Sequence, residues 1–173
     1  LNTGGMGNYS PSPYYTDEVA RFCEEKIYRR TVEAMAAEGR PFQGVIFFGL
    51  MLTPDGPRVL EYNVRFGDPE AQVVLPRMEN DLLEVMLACA EGRLDEIELK
   101  FCDKACVTVV LASRGYPVKY EKGFPITGLE SLKGLADVYC YHAGTRFDEA
   151  GRVVTNGGRV LDVTALGDRK SVV

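Results

Sequence analysis

The sequence predicts an α+β fold, an antiparallel sheet with helices followed by a small β-rich region. Three observations carry that expectation. Apolar residues recur at three- and four-residue steps from Val19 to Met35, the period of a helix with one buried face. Two strand-like segments, 44–53 (GVIFFGLMLT) and 58–63 (RVLEYN), flank the turn Pro54-Asp55-Gly56-Pro57, the order of a hairpin. Past a charged stretch at 91–103 the chain becomes strand-rich. The expected division is therefore 1–95 and 96–167.

In chain order, Thr16 stands before Asp17 and Glu18, so a helix should begin there. A threonine hydroxyl can accept from a free N–H of the first turn, and acidic residues suit the positive end of the helix dipole. Gly39 and Pro41 should close that helix. In the hairpin, Leu60 and Tyr62 are expected to face a core. Asp68-Pro69-Glu70 has the order of a helix start, with Asp as N-cap and Pro at the first helical position, and Pro76 should interrupt that helix. A further helix is expected over 81–91, with Leu82, Val85, Met86 and Cys89 on one face and Gly92 at its end. Strands are expected at 105–113 and 138–143, the first ending in the turn Arg114-Gly115-Tyr116-Pro117. The segments 152–155 and 159–165 flank Asn156-Gly157-Gly158, a hairpin signal.

Composition narrows the function classes. The 173 residues are 46% hydrophobic and 26% charged, which excludes a disordered tail and a disulfide miniprotein. No run approaches the ~18 consecutive apolar residues of a membrane span. Twenty basic residues against twenty-five acidic ones, a net charge of −5, argue against a nucleic-acid surface. The five cysteines are scattered, and only Cys102 and Cys106 lie close in sequence. They read as small buried thiols in a reducing compartment. His142 is the one histidine, and nothing near it completes a nucleophile system. The last six residues, DRKSVV (168–173), match one reading frame of a widely used sequencing adapter and are expected to be a non-native read-through tail.

Two clusters could carry chemistry. In Glu61-Tyr62-Asn63-Val64-Arg65, alternate side chains share a strand face at about 7 Å spacing. Val59, Glu61, Asn63 and Arg65 would then point one way. A carboxylate beside an amide oxygen suits Mg²⁺, which completes its shell with phosphate oxygens and water. Arg65 adds a planar cation suited to phosphate or carboxylate. The same pattern also describes the solvent face of a hairpin. The second cluster is the glycine-rich stretch of Asn2, Thr3, Gly4, Gly5, Met6 and Gly7. It can expose N–H groups to a phosphate or serve as a turn, and it meets neither standard nucleotide motif.

Taken in order, NTGGMGNYSP, GVIFFGLMLTPDGPRVLEYNVRFGDPEAQVVLPRM, DLLEVMLACAEGRLDE, VTVVLASRGYP, ITGLE, YHAGT and VVTNGGRVLDVTALG closely resemble glycinamide ribonucleotide synthetases. The resemblance runs from Asn2 to Gly167. It implies the C-terminal half of an ATP-grasp domain, then a small β-rich domain. It also implies ATP-dependent joining of glycine to 5-phosphoribosylamine in purine biosynthesis, in the cytoplasm, with Mg²⁺ or Mn²⁺ and with no nucleic-acid or membrane partner. Glu61 and Asn63 match the family's E-x-N metal ligands, and Arg65 its arginine beside the reacting phosphates. Asn2 through Gly7, with Gly67, Asp68, Pro69 and Glu70, match loops on the substrate side. Asn8, Val118 and Asp162 depart from the usual pattern. The family's N-terminal domain and the first half of its ATP-grasp domain are expected to lie outside this chain. Another carboxylate–amine ligase of the same superfamily, or a non-catalytic scaffold, are the alternative readings.

Overall fold

The computed structural model describes residues 1–168, so the expected read-through segment lies, from residue 169 onward, outside them. In chain order the elements are strand β1 (Gly7–Ser10), helices α1 (Asp17–Cys23) and α2 (Arg29–Ala37), strands β2 (Phe47–Thr53) and β3 (Gly56–Asn63), the short helix α3 (Ala71–Val74) and helix α4 (Leu82–Ala90). Strands β4 (Ala105–Ala112), β5 (Val138–His142), β6 (Thr145–Phe147), β7 (Val153–Thr155) and β8 (Arg159–Gly167) complete the order. The mixture of helices and antiparallel strands is the α+β class expected.

These elements form two compact units: among the described residues, 1–10, 68–77 and 102–168 make one, and 11–67 with 78–101 make the other. Each unit draws on separate stretches of the chain, because strand pairing joins residues distant in sequence. β1 joins β4 antiparallel, with Gly7 opposite Val109 and Ser10 opposite Cys106.

The first unit is built on a four-stranded antiparallel sheet in the order β1-β4-β8-β5. Its interior holds Cys106, Val110, Val160 and Leu161, and α3 buries Val73 against this sheet. Two buried hydroxyls satisfy each other across strands: Thr164 Oγ1 donates to Thr108 Oγ1 at 2.7 Å. The hairpin expected across Asn156-Gly157-Gly158 does not form. β7 pairs with β6, while β8 pairs with β4 and β5. Neither Gly157 nor Gly158 has a positive φ. Close packing explains Gly158 instead, since a Cβ there would overlap the Tyr116 ring. Asp68 does not cap α3 either. Glu70 holds the cap position without a side-chain bond, and the Asp68-Pro69 peptide is cis.

In the second unit, Thr16 caps α1 as expected, its Oγ1 accepting from Val19 N–H at 3.4 Å. A π-helical turn over Glu24–Tyr28 joins α1 to α2, and Cys23 and Ile27 are the buried side chains of this stretch. The chain leaves α2 through Gly39 at φ +73°. Strands β2 and β3 form the expected hairpin, from Phe47 opposite Asn63 to Thr53 opposite Gly56. Glu61 faces Gly49 and Val59 faces Leu50, so Leu60 is the extra residue of a β-bulge. Leu60 and Tyr62 are not core residues: they are 64% and 53% exposed. The bulge upsets strict alternation, and Tyr62 packs edge-on against Phe48 (ring centroids 5.3 Å apart), itself 4.6 Å from Tyr28. Asp81 caps α4 by accepting from Leu83 N–H at 2.8 Å. Ala88 is its buried residue and Met86 is exposed, so the expected apolar face is only half covered.

All five cysteines are free, with Cys23 and Cys106 buried. Burial pushes the Cys106 thiol up to about 11. No described helix is long and apolar enough to cross a membrane.

Candidate active site

Glu61 and Asn63 lie at the end of β3, on the regular side of the bulge, and so share a face. Glu61 is exposed. Gly49 opposite it gives its stem room, since a Cβ there would sit 2.8 Å from Glu61 Cγ. Asn63 is half-buried, and its Oδ1 accepts from Arg65 Nη2 at 3.3 Å. Arg65 Nη1 donates to the Phe66 carbonyl at 2.8 Å. The structure therefore sets Glu61 and Asn63 on one strand face and bonds Arg65 to Asn63. Val59 lies across the bulge and does not continue their face.

The donor set fits a hard divalent cation. Both candidate atoms are oxygens, and an amide oxygen with one bond from Arg65 keeps a second lone pair. Among the described residues no group of three or more His, Cys, Asp or Glu could hold a metal ion. An ion at Glu61 and Asn63 would therefore complete its shell with ligand oxygens and water.

The glycine-rich loop belongs to the other unit, with Asp68, Pro69 and Glu70; Gly67 is buried in the unit of β3. The loop is not an open cradle of N–H groups. Gly4 N–H donates to Asn2 Oδ1 at 2.8 Å and Gly5 N–H to Thr3 Oγ1 at 3.4 Å. Gly4 and Gly5 adopt φ of +71° and +100°, and a Cβ on Gly5 would lie 2.7 Å from Pro69 Cδ. These glycines let the loop pass close against Pro69. Met6 is 40% exposed, and its carbonyl accepts from Val110 N–H. Gly7 opens β1. Glu70 Oε1 accepts from Asn8 Nδ2 at 3.1 Å, so the departure at Asn8 ties the loop to Glu70. Each Asp68 carboxylate oxygen already has a donor: Gln72 Nε2 at 2.8 Å and Arg159 Nη2 at 2.7 Å.

The sequence reading missed Arg159, Tyr116 and Gln72. Arg159 Nη1 donates to the carbonyls of Gly4 (2.9 Å), Gly5 (3.4 Å) and Asp68 (2.9 Å). Tyr116 donates its phenol to the Thr3 carbonyl at 2.5 Å. These partners lie more than ninety residues apart, and no local spacing announces them. Asp162, noted as a departure, is 2% exposed on β8. Its Oδ1 and the nearby Gln72 Oε1 are both buried without a hydrogen-bond partner among the described residues. Burial pushes the Asp162 carboxyl above its usual range and the Asp68 charge adds to this, while the Arg159 cation opposes it.

Residues 1–71 match the family model for the phosphoribosylglycinamide synthetase ATP-grasp (A) domain, and residues 106–171 match that for its C domain. The chain is 52% identical to a phosphoribosylamine–glycine ligase of Rhodopirellula baltica, over 96% of this chain and 38% of that protein. It is 48% identical to the Caldanaerobacter subterraneus protein of the same name, over 96% of this chain and 39% of that one. The crystal structure of Thermotoga maritima phosphoribosylamine–glycine ligase superposes with a TM-score of 0.79 at 34% identity, covering 99% of this chain and 41% of that one. The chain thus spans about two fifths of the length of these relatives. With both domain models matched in order and these identities over nearly all of its residues, the chain belongs to the phosphoribosylglycinamide synthetase family.

Proposed function

We propose that the full-length protein containing these residues is an ATP-dependent phosphoribosylamine–glycine ligase. It joins glycine to 5-phosphoribosylamine in de novo purine biosynthesis, in the cytoplasm. The products are glycinamide ribonucleotide, ADP and phosphate, by way of glycyl phosphate. The observation that carries this reading is the polar end of β3, where two hard-oxygen donors and a guanidinium converge. The family matches support it, and a domain boundary near residue 95, proposed here, is compatible with the gap between the two matched stretches.

Glu61 and Asn63 would hold the divalent ion, Mg²⁺ or Mn²⁺. Such an ion, when bound, neutralises charge on the transferring phosphate and its leaving group. Arg65 supplies the chain's own cation. Its bonds to Asn63 and Phe66 hold it at the strand end, where its planar fork can turn to a phosphate or carboxylate oxygen. The first step brings the glycine carboxylate to the γ-phosphate, two anions, so a fixed cation lowers the barrier by offsetting their repulsion. No protein nucleophile is required. His142 is engaged instead with Thr145, its Nδ1 lying 2.9 Å from the hydroxyl. Asn2, Thr3, Gly4, Gly5, Met6 and Gly7, with Gly67, Asp68, Pro69 and Glu70, serve glycine and phosphoribosylamine. In the loop, the exposed side chains of Asn2 and Met6 and the shaped backbone make that contact, since two of its N–H groups are engaged internally.

The test is ADP release by the full-length protein. Release should require both glycine and phosphoribosylamine together with ATP. Equal release with a different carboxylic acid in place of glycine would overturn the reading.

A further inference from the structure

Three consecutive carbonyls of the glycine-rich loop turn inward onto two side chains. Thr3 is held by the Tyr116 phenol, and Gly4 and Gly5 by the Arg159 guanidinium. The same guanidinium reaches the Asp68 carbonyl through Nη1 and the Asp68 carboxylate through Nη2. We propose that Arg159, seconded by Tyr116, is the positioning residue of this loop: it fixes Asn2–Gly7 against Asp68-Pro69-Glu70 in the geometry that receives the non-nucleotide substrates. The assignment rests on the ligase reading for the identity of those substrates and on the hydrogen-bond geometry for everything else.

Local structure explains how one side chain serves so many acceptors. Arg159 opens β8, where the ladder to β4 breaks register: Leu111 faces Leu161 but Ala112 faces Arg159. The skipped residue is a bulge, a feature that re-aims the neighbouring side chain. Gly158, just before it, leaves space for the Tyr116 ring. The Gly158-Arg159 pair therefore carries both contacts, one by making room and one by bonding. The Arg159 side chain is 21% exposed, so its charge is largely shielded and the Asp68 carboxylate beside it matters. A lysine could not replace it, because a point ammonium lacks the planar fork that spans three carbonyls and a carboxylate. Gln72 completes the set by holding the other Asp68 oxygen, which fixes the carboxylate plane.

The role separates from mere stability in two ways. If Arg159 positions substrate groups, its loss should fall on the glycine or phosphoribosylamine terms and spare ATP. It should also be repaired by a free guanidinium ion, which fits the vacated fork. The experiment compares Arg159→Ala, Arg159→Lys and Tyr116→Phe in the full-length protein. For Arg159→Ala, kcat/KM for glycine or phosphoribosylamine should fall about a hundredfold, the scale of a misplaced reacting group, while KM for ATP stays within about twofold. Millimolar guanidinium should recover at least about tenfold of that loss. Arg159→Lys should show the loss without the recovery, and Tyr116→Phe a smaller loss of the same pattern.

A second readout needs no activity. Amide hydrogen exchange at residues 4–7, and at Val110, whose N–H the Met6 carbonyl holds, should quicken at least about tenfold in Arg159→Ala, with the amides of β8 from Leu161 onward unchanged. Unchanged loop exchange, or unchanged kinetics in an active parent, would overturn the assignment. So would a loss shared equally by all three substrates and not relieved by guanidinium, since that would mark Arg159 as a stabiliser only. A parent lacking glycine-dependent ADP release would overturn the ligase reading, and the exchange result would still decide the role of Arg159 in the loop.

Discussion

Replacing Asp162 by asparagine should stabilise this protein, and by more as pH rises. The native carboxyl is 2% exposed, with Oδ1 unpartnered and Gln72 Oε1 likewise. A buried acceptor without a donor costs about 1–3 kcal/mol. Asp162→Asn keeps the shape, removes the charge and offers an N–H that Gln72 Oε1 can take up. For a chain of this length each kcal/mol moves the melting temperature by about 2–4 °C, so the gain near neutrality should be at least about 2 °C. The sign with pH comes from the shift. Burial first, then the Asp68 charge, raise the folded carboxyl above its unfolded value, and the Arg159 cation offsets this only in part. A carboxyl so raised contributes stability that is complete below the unfolded value of about 3.9 and is lost as pH rises through the folded one. Cys140, on the adjacent strand, is itself pushed up, chiefly by burial and then by the Asp162 charge, so it too remains a neutral thiol there. Thermal melts of parent and variant from about pH 4 to about pH 8 should diverge upward with pH. An Asn variant that melts lower at neutral pH, or an offset constant across that range, would refute the reasoning and mean that the ionised carboxylate has a partner.

Three further outcomes are expected at the site. In the full-length protein Glu61→Gln should reduce turnover about a hundredfold, roughly 3 kcal/mol of barrier, with little change in melting; near-parental rates at limiting Mg²⁺ would remove Glu61 from the ligand set. Arg65→Lys should lower turnover at least about tenfold with melting nearly unchanged, because a lysine keeps the charge and loses the fork; silence in both assays would make Arg65 a solvated residue. The 173-residue chain alone should show no phosphoribosylamine-dependent ADP release, since it spans about two fifths of its relatives and offers one wall of ligands; robust release would show the site to be complete within it.

The elements that sequence made legible are those with local causes. The Thr16 cap, the helix stop at Gly39 and the hairpin around Pro54 depend on residues a few positions apart, and each stands where expected. The shared strand face of Glu61 and Asn63 was legible for the same reason. What failed depends on distant partners. Asn156-Gly157-Gly158 has hairpin chemistry, but the long ladders of β8 to β4 and β5 compete with it and prevail. Asp68 has capping chemistry, but Arg159 and Gln72 claim its carboxylate. Leu60 has the character of a core residue, but the bulge opposite Gly49 turns it outward. Arg159 itself carries no local signal, because every acceptor of its guanidinium lies at least ninety residues away.

The pairing of β1 with β4 bears on how this protein can be cut. A truncation at residue 95 would follow the composition and leave the later strands without Gly7–Ser10. β4 would become an edge, offering a row of unpaired N–H and C=O groups beside apolar side chains such as Val107 and Val109. Such edges recruit strands from other molecules. A C-terminal piece made that way should precipitate or self-associate, whereas one that carries the first ten residues on a linker should remain monomeric.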